Sequence, residues 1–185
     1  MTKQLTAEQR DFRAAMSNLS AAVNVVTTNG PGGRAGITVS AVCSVTDSPP
    51  TILVCVNQSS YTHGIFRRNQ RLCVNVLSSC DEELAGHFAG GTGVPMAERF
   101  EWAMWDHDTE DIPMLRTAAA RVVGRIISAH TQGSHSIFMV SVDRVDVREN
   151  SDALVYFQRR FHSVGIDDRA HTEQESTGWT TRRPA

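Results

Sequence analysis

The chain has 185 residues, enough for one domain with its own hydrophobic core and short for two. Its 18 Lys and Arg are scattered among 20 Asp and Glu, a formal net charge of −2, so it lacks the basic field that a nucleic-acid partner requires. The longest apolar run, Thr51 to Val56, is far too short to span a bilayer, and the polar N-terminus lacks the hydrophobic stretch of a secretory signal; both features predict a cytoplasmic protein with no membrane contact.

From Thr6 to Leu19, Phe12, Met16 and Leu19 recur at helical spacing, and Thr6 with Gln9 has the arrangement of a capping box. An amphipathic helix follows from this. Val23 to Thr28 reads as a strand, Asn29-Gly30-Pro31-Gly32-Gly33 as a turn needing positive φ, and Ala35 to Val45 as the returning strand of a hairpin. Asp47-Ser48-Pro49-Pro50 breaks the chain, and Thr51 to Asn57 is a buried strand. A short helix is expected over Thr62 to Arg68, then a half-buried strand in which Leu72, Val74 and Val76 alternate.

Ser79 and Glu82 repeat the capping-box spacing, so Ser79 to Ala89 should be a helix ended by Gly90-Gly91. Trp102 to Pro113 has no clear period. From Ala118 the pattern is β-like again: Phe138, Val140 and Val142 share one parity and Val145 and Val147 the other, which requires a bulge near Asp143-Arg144. Leu154 to Phe161 is the last strand expected. Beyond Gly165 the chain turns polar and aperiodic, so residues 1–165 are assigned to one domain and 166–185 to a tail. Many short strands and few helices predict a mainly β fold, a closed or nearly closed barrel with helices over its openings.

No G-x-G-x-x-G joins a strand to a helix and no Walker A lysine follows a glycine loop. The seven histidines offer no H-E-x-x-H and no Cys–His zinc spacing, so no metal is assigned. Cys43, Cys55 and Cys73 lie in strand-like sequence and Cys80 after it, and buried reduced thiols are expected. Hydroxyl, amide and small residues concentrate along Gly36 to Ser44 and again along Asn57 to Thr62. Such segments suit the polar edge and phosphate of a flat cofactor, but Thr and Ser are equally ordinary in strands and turns, and composition leaves both readings open.

Several separated blocks carry a resemblance. They are Phe12-Arg13-Ala14-Ala15-Met16, Leu19 to Thr28, Gly36-Ile37-Thr38, Ala41 to Pro50, Leu72 to Leu77, His87-Phe88-Ala89-Gly90, Glu98-Arg99-Phe100 and Tyr156 to His162. Running in one order from about Phe12 to Val164, they resemble the short-chain flavin reductase family, the reductase components of two-component flavin-dependent monooxygenases such as that acting with 4-hydroxyphenylacetate. The resemblance implies a flavin reductase split β-barrel (FMN-binding split barrel) and a homodimer. It implies FAD, or alternatively FMN, as the flavin, NADH as reductant, and a separate flavin-dependent monooxygenase that receives the reduced flavin by diffusion. It places flavin against Thr38, Val39, Ser40 and Ala41, against Cys55, Val56, Asn57, Ser59, Ser60 and Thr62, and near Phe88, Ala89 and Arg99. The nicotinamide would lie near Ser134 and His135 of a Gly-x-His turn, with His135 as the catalytic residue, and near Tyr156 and Arg159. The rival reading is a non-catalytic flavin-binding or electron-carrier protein on the same barrel.

Overall fold

The structure, a computed structural model, describes residues 5–165 and 179–182. Thr6 opens α1 (Ala7–Met16) as its spacing predicts: its hydroxyl accepts from the Gln9 N–H and the Gln9 side chain accepts from the Thr6 N–H, satisfying two donors that a helix start leaves orphaned. A short β1 (Ala21–Ala22) leads to β2 (Asn24–Thr28), and a turn with Gly30 and Gly33 at positive φ returns the chain as β3 (Ala35–Val39).

The single strand expected from Ala35 to Val45 is two. β3 ends at Val39, and β4 (Val42–Asp47) pairs not with β2 but with β5 (Pro50–Asn57). Ser40 and Ala41 therefore carry the chain from one edge of the main sheet to the other. Then follow α2 (His63–Asn69), β6 (Arg71–Val76), a 3-10 turn at Ser79–Asp81, α3 (Glu82–Phe88) and α4 (Met96–Arg99). After them come β7 (Trp105–His107), β8 (Pro113–Leu115), the long hairpin β9 (Ala120–Gln132) and β10 (His135–Arg148), β11 (Ala153–Phe157), β12 (Arg160–Val164) and β13 (Trp179–Arg182).

Seven antiparallel strands run in the order β3-β2-β6-β9-β10-β5-β4. The sheet curls so that its two edges are consecutive in the chain, which is the expected split barrel, open between β3 and β4. Inward side chains fill it: Val26, Val54, Val56, Leu72, Val74, Ile126, Phe138 and Val140, with Phe66 of α2. Val25, next to Val26, must face the other way. It joins an outer cluster with Leu84, Ala85 and Phe88 of α3, Phe100, Leu115 and Leu154. This outer layer seats α3 against the barrel wall.

Other expectations change in instructive ways. β6 is buried on both faces rather than one, because β8 covers its outer side: Asn75 accepts the Leu115 N–H at 2.7 Å and the Thr27 hydroxyl donates to the Pro113 carbonyl at 2.5 Å. The capping box lies one residue early, between Ser78 and Asp81, while Ser79 donates to Asp152 through its hydroxyl and its N–H. The bulge falls between Val142 and Arg144, where the parity change required it. The last expected strand is a hairpin, turned at Gln158 and Arg159 with φ of 47° and 61°. Of the expected polar tail, 166–178 lies outside the described residues, and β13 pairs with Val145–Arg148 of β10. The cysteines are free, but only Cys73 is buried; Cys55 is half-buried and Cys43 and Cys80 are exposed. Among the described residues no helix is long and apolar enough to cross a membrane.

Candidate functional site

The turn after β5 is built by its own side chains. Asn57 Oδ1 accepts the Ser59 N–H and hydroxyl, each at 2.9 Å, and the Asn57 carbonyl accepts the Ser60 N–H at 3.0 Å, an Asx turn. Ser60 and Thr62 then stand with their hydroxyls 2.8 Å apart at the entrance to α2. Facing them are Phe88 and Ala89 at the end of α3 and Arg99 at the end of α4, around a cleft of about 420 Å³. Gly36 and Ile37 of β3 line it as well. A Cβ on Gly36 would lie 2.6 Å from Phe88 Cε1, so glycine is what lets the phenyl ring lie directly on the strand. Arg99 donates from Nε to the Val94 carbonyl at 2.8 Å, which fixes the plane of its guanidinium while further N–H donors remain.

His135 and Ser134 sit at the tip of the β9–β10 hairpin, turned by Gly133 at φ 55°. The Gln58 N–H donates to the Ser134 carbonyl at 2.9 Å and the Gln58 side chain to the His135 carbonyl at 3.1 Å. The turn that carries Ser60 and Thr62 is thus bonded to the hairpin that carries the exposed His135 imidazole, whose Nδ1 lies 2.9 Å from Ser134 Oγ. Ser40, Tyr156 and Arg159 meet elsewhere, in a depression of about 780 Å³ shared with Arg10, Arg13 and Met16 of α1. Arg159 belongs to a hairpin turn, not to a strand where it would alternate with Arg160.

Some expected residues lie beside the cleft without offering a side chain to it. Val56 is buried inside the barrel, so only its backbone can meet a ligand, and the half-buried Val39 packs against the same core. The Thr38 hydroxyl donates to the Ala85 carbonyl at 2.7 Å and ties β3 to α3. Asn57 and Ser59 bond to each other. The Cys55 N–H donates to the Ala41 carbonyl at 3.0 Å, extending the β4–β5 ladder by one residue, and burial pushes its thiol pKa up.

Gly36, Ile37 and Tyr61 lie within the segments singled out for a cofactor but were not named as individual contacts, and Val94, Pro95 and Met96 were passed over entirely. Pro95 immediately before Met96-Ala97-Glu98-Arg99 was the available signal, since proline favours a helix start. His63 also went unassigned. Its Nε2 lies 2.9 Å from Ser136 Oγ, next to His135 in the chain, and burial, then the nearby Arg67, lowers its pKa.

Comparison with known proteins gives a consistent picture. Residues 16–165 match the flavin reductase like domain. The chain is 50% identical over 167 residues, covering 90% of it and 98% of the relative, to the 4-hydroxyphenylacetate 3-monooxygenase reductase component of Pseudomonas aeruginosa. It is 47% identical over 156 residues, 84% of it and 88% of the relative, to the FMN reductase (NADH) RutF of Stutzerimonas stutzeri. Among solved structures, BorF, the flavin reductase component of a bacterial two-component tryptophan halogenase, superposes with a TM-score of 0.79 at 28% identity, over 85% of this chain and 99% of that one.

Proposed function

Because the chain belongs to the flavin reductase like family, we propose that the cleft between β3 and the α3–α4 segment holds a flavin, and that His135 at the adjoining hairpin tip meets the reduced nicotinamide. The chain is a flavin reductase, an oxidoreductase that supplies reduced flavin to a partner monooxygenase. One observation carries the site reading: Ser60 and Thr62, Phe88 and Ala89, and Arg99 come from three separate segments and line one cleft.

The residues present fit a flavin. The exposed Tyr61 offers a flat ring face, Gly36, Ile37 and the buried Phe88 close the floor, and Ser60, Thr62 and Arg99 offer donors to a phosphate. The hydride passes between the two cofactors, from nicotinamide to isoalloxazine. The protein's part is to stack and align them. Neutral hydrogen bonds from Ser60 and Thr62 contribute about 1 kcal/mol each, small enough for flavin to leave again. Ser134 fixes the rotation of the His135 imidazole, so that the far nitrogen can bond the nicotinamide carboxamide. Tyr156 and Arg159 would meet the rest of the dinucleotide, beside Ser40.

NADH is the proposed reductant, FAD the proposed flavin with FMN as the alternative, and a cytoplasmic homodimer the working form. The relative named FMN reductase (NADH) supports the choice of NADH. NADH and NADPH oxidation, each followed with FAD, FMN and riboflavin, tests the proposal. A flavin-dependent rate that favours NADH is expected, and a rate independent of added flavin with either nucleotide would overturn it.

A further inference from the structure

Between Gly90 and Trp102 the chain carries the outer wall of the flavin cleft, Val94, Pro95, Met96 and Arg99. Phe100 ties the end of this segment to α3, buried with its ring centroid 5.1 Å from that of Phe88, and Met96 packs on the same cluster, but the stretch from Gly90 to Pro95 contributes no residue to it. α4 is four residues long and buries none of them, and Gly90 and Gly93 both take positive φ, at 85° and 67°. One side chain of α3 touches the segment near both its ends. His87 Nδ1 is 3.2 Å from Thr92 Oγ1, and the imidazole and the Trp102 indole lie with ring centroids 3.8 Å apart. His87 is buried, its Nε2 has no hydrogen-bond partner, and the Glu83 carboxylate is 3.8 Å from it, beyond bonding range. A buried imidazole with one nitrogen unsatisfied costs stability, and its hydrogen bond and its ring contact are both with the loop. The next two residues of α3 and its cap, Phe88 and Ala89, line the opposite side of the same cleft.

We propose that His87 is a positioning residue of the flavin site: by holding Thr92 and Trp102 against α3 it keeps Arg99 and Met96 across the cleft from Ser60 and Thr62. It touches neither flavin nor nicotinamide. It therefore sets flavin affinity and leaves the alignment of the two rings to other residues. The inference rests on the reading of this cleft as the flavin site.

The test compares His87→Ala, His87→Asn, Thr92→Val and Arg99→Ala by FAD affinity (fluorescence quenching), KM for FAD and NADH, kcat at saturating flavin, and melting temperature. His87→Ala should raise the FAD Kd and KM about tenfold, the loss expected when a buried hydrogen bond and a ring contact disappear together, with kcat and the NADH KM unchanged. His87→Asn keeps an amide near the place of Nδ1 and should recover part of that loss. Thr92→Val, on an exposed residue, should fold normally and reproduce part of it. Unchanged FAD affinity in both His87→Ala and Thr92→Val, while Arg99→Ala weakens FAD, would overturn the positioning role alone. Unchanged FAD affinity in Arg99→Ala would overturn the reading of the cleft itself, and the inference with it.

Discussion

His135, the first residue of β10, is paired in register with Asn57, the last residue of β5. Through that pair the candidate nicotinamide residue is fixed to the turn that orients Ser60 and Thr62. Since the imidazole is exposed, its removal should disturb little besides the nicotinamide. His135→Ala is expected to raise the NADH KM, slow single-turnover flavin reduction, or both, by up to about a hundredfold if the ring is misplaced. Flavin affinity and melting temperature should hold. Unchanged reduction kinetics with unchanged NADH dependence would remove His135 from the site.

Arg99 is the cationic group of the cleft, and its effect should depend on whether the flavin carries phosphate. A charge-assisted hydrogen bond is worth about 1.5–3 kcal/mol, so Arg99→Ala should raise the KM for FAD and FMN by about ten- to a hundredfold. Riboflavin, which has no phosphate, should be used almost as before. Steady-state kinetics with the three flavins decide this, and equal impairment of riboflavin would contradict a phosphate contact.

Legibility in the sequence followed the range of the interaction. The α1 cap and the bulge after Val142 are local and could be read directly. The division of Ala35–Val45 at Ser40-Ala41 could not, because no glycine or proline marks it; it exists because a curled sheet must close, which is a tertiary effect. The Gln158-Arg159 turn was hidden for the opposite reason: both residues hold the positive φ at which Gly or Asn is expected. β7 and β8 span three residues each, too few to show a period. For the site, matching motifs supplied positions but not side-chain direction, so they did not show that Val39 and Val56 pack toward the barrel core. The loop residues Val94 to Met96 are brought to the cleft by packing on α3, which no spacing encodes.

Two glycines should respond differently to alanine. At Gly36 the added methyl meets Phe88 Cε1 at 2.6 Å and Cδ1 at 2.8 Å, side-chain atoms that give way by a shift of the ring, so the cost should be about 1–3 kcal/mol together with weaker flavin binding. At Gly124 of β9 the methyl meets the Ser141 carbonyl oxygen and lies 2.8 Å from Val140 Cγ1. A ladder carbonyl has no such freedom. Gly124→Ala should therefore be the more destabilising in urea titrations, at or above the top of that range. Equal midpoints would show that β9 and β10 can separate more easily than their packing implies.

Acid should weaken the fold through specific carboxylates. Burial raises the Asp106 pKa, but bonds from Arg121 and Arg116 outweigh it and the net shift is downward. The Ser79 hydroxyl, then its N–H, lowers that of Asp152. A carboxylate with a depressed folded pKa adds stability that is present above its unfolded pKa and lost as pH falls through the folded one. The loss should thus begin below about pH 4. Asp106→Asn should cost on the order of 1 kcal/mol at pH 7, since the group is partly screened by solvent, and the gap to the parent should close in acid. A gap that persists undiminished as far as the acid limit of folding would assign the effect to packing instead.

The apolar face of α1 gives the strongest expectation about assembly. Phe12 and Met16, one turn apart on α1, are 65% and 47% exposed and Leu19, just beyond its end, is 66% exposed, and α1 buries no residue against its own chain. Its described ties to the body lie at its C-terminal end, where Gln158 donates to the Ser17 carbonyl at 2.7 Å and to the Asn18 side chain at 3.2 Å. A ten-residue helix is too short to persist in water by itself, and we expect a second surface to cover it. With a second copy as that surface, each large apolar side chain removed from water adds about 1.5–3 kcal/mol. Light scattering of the parent should report twice the 20.3 kDa chain mass, and Phe12→Glu should shift the population to monomer while the barrel keeps its circular dichroism. Because Ser40, Tyr156 and Arg159 border the same depression as α1, the monomeric variant should also lose affinity for the nicotinamide. A parent that runs as a monomer at micromolar concentration would refute the dimer and leave the exposed face of α1 to a different partner.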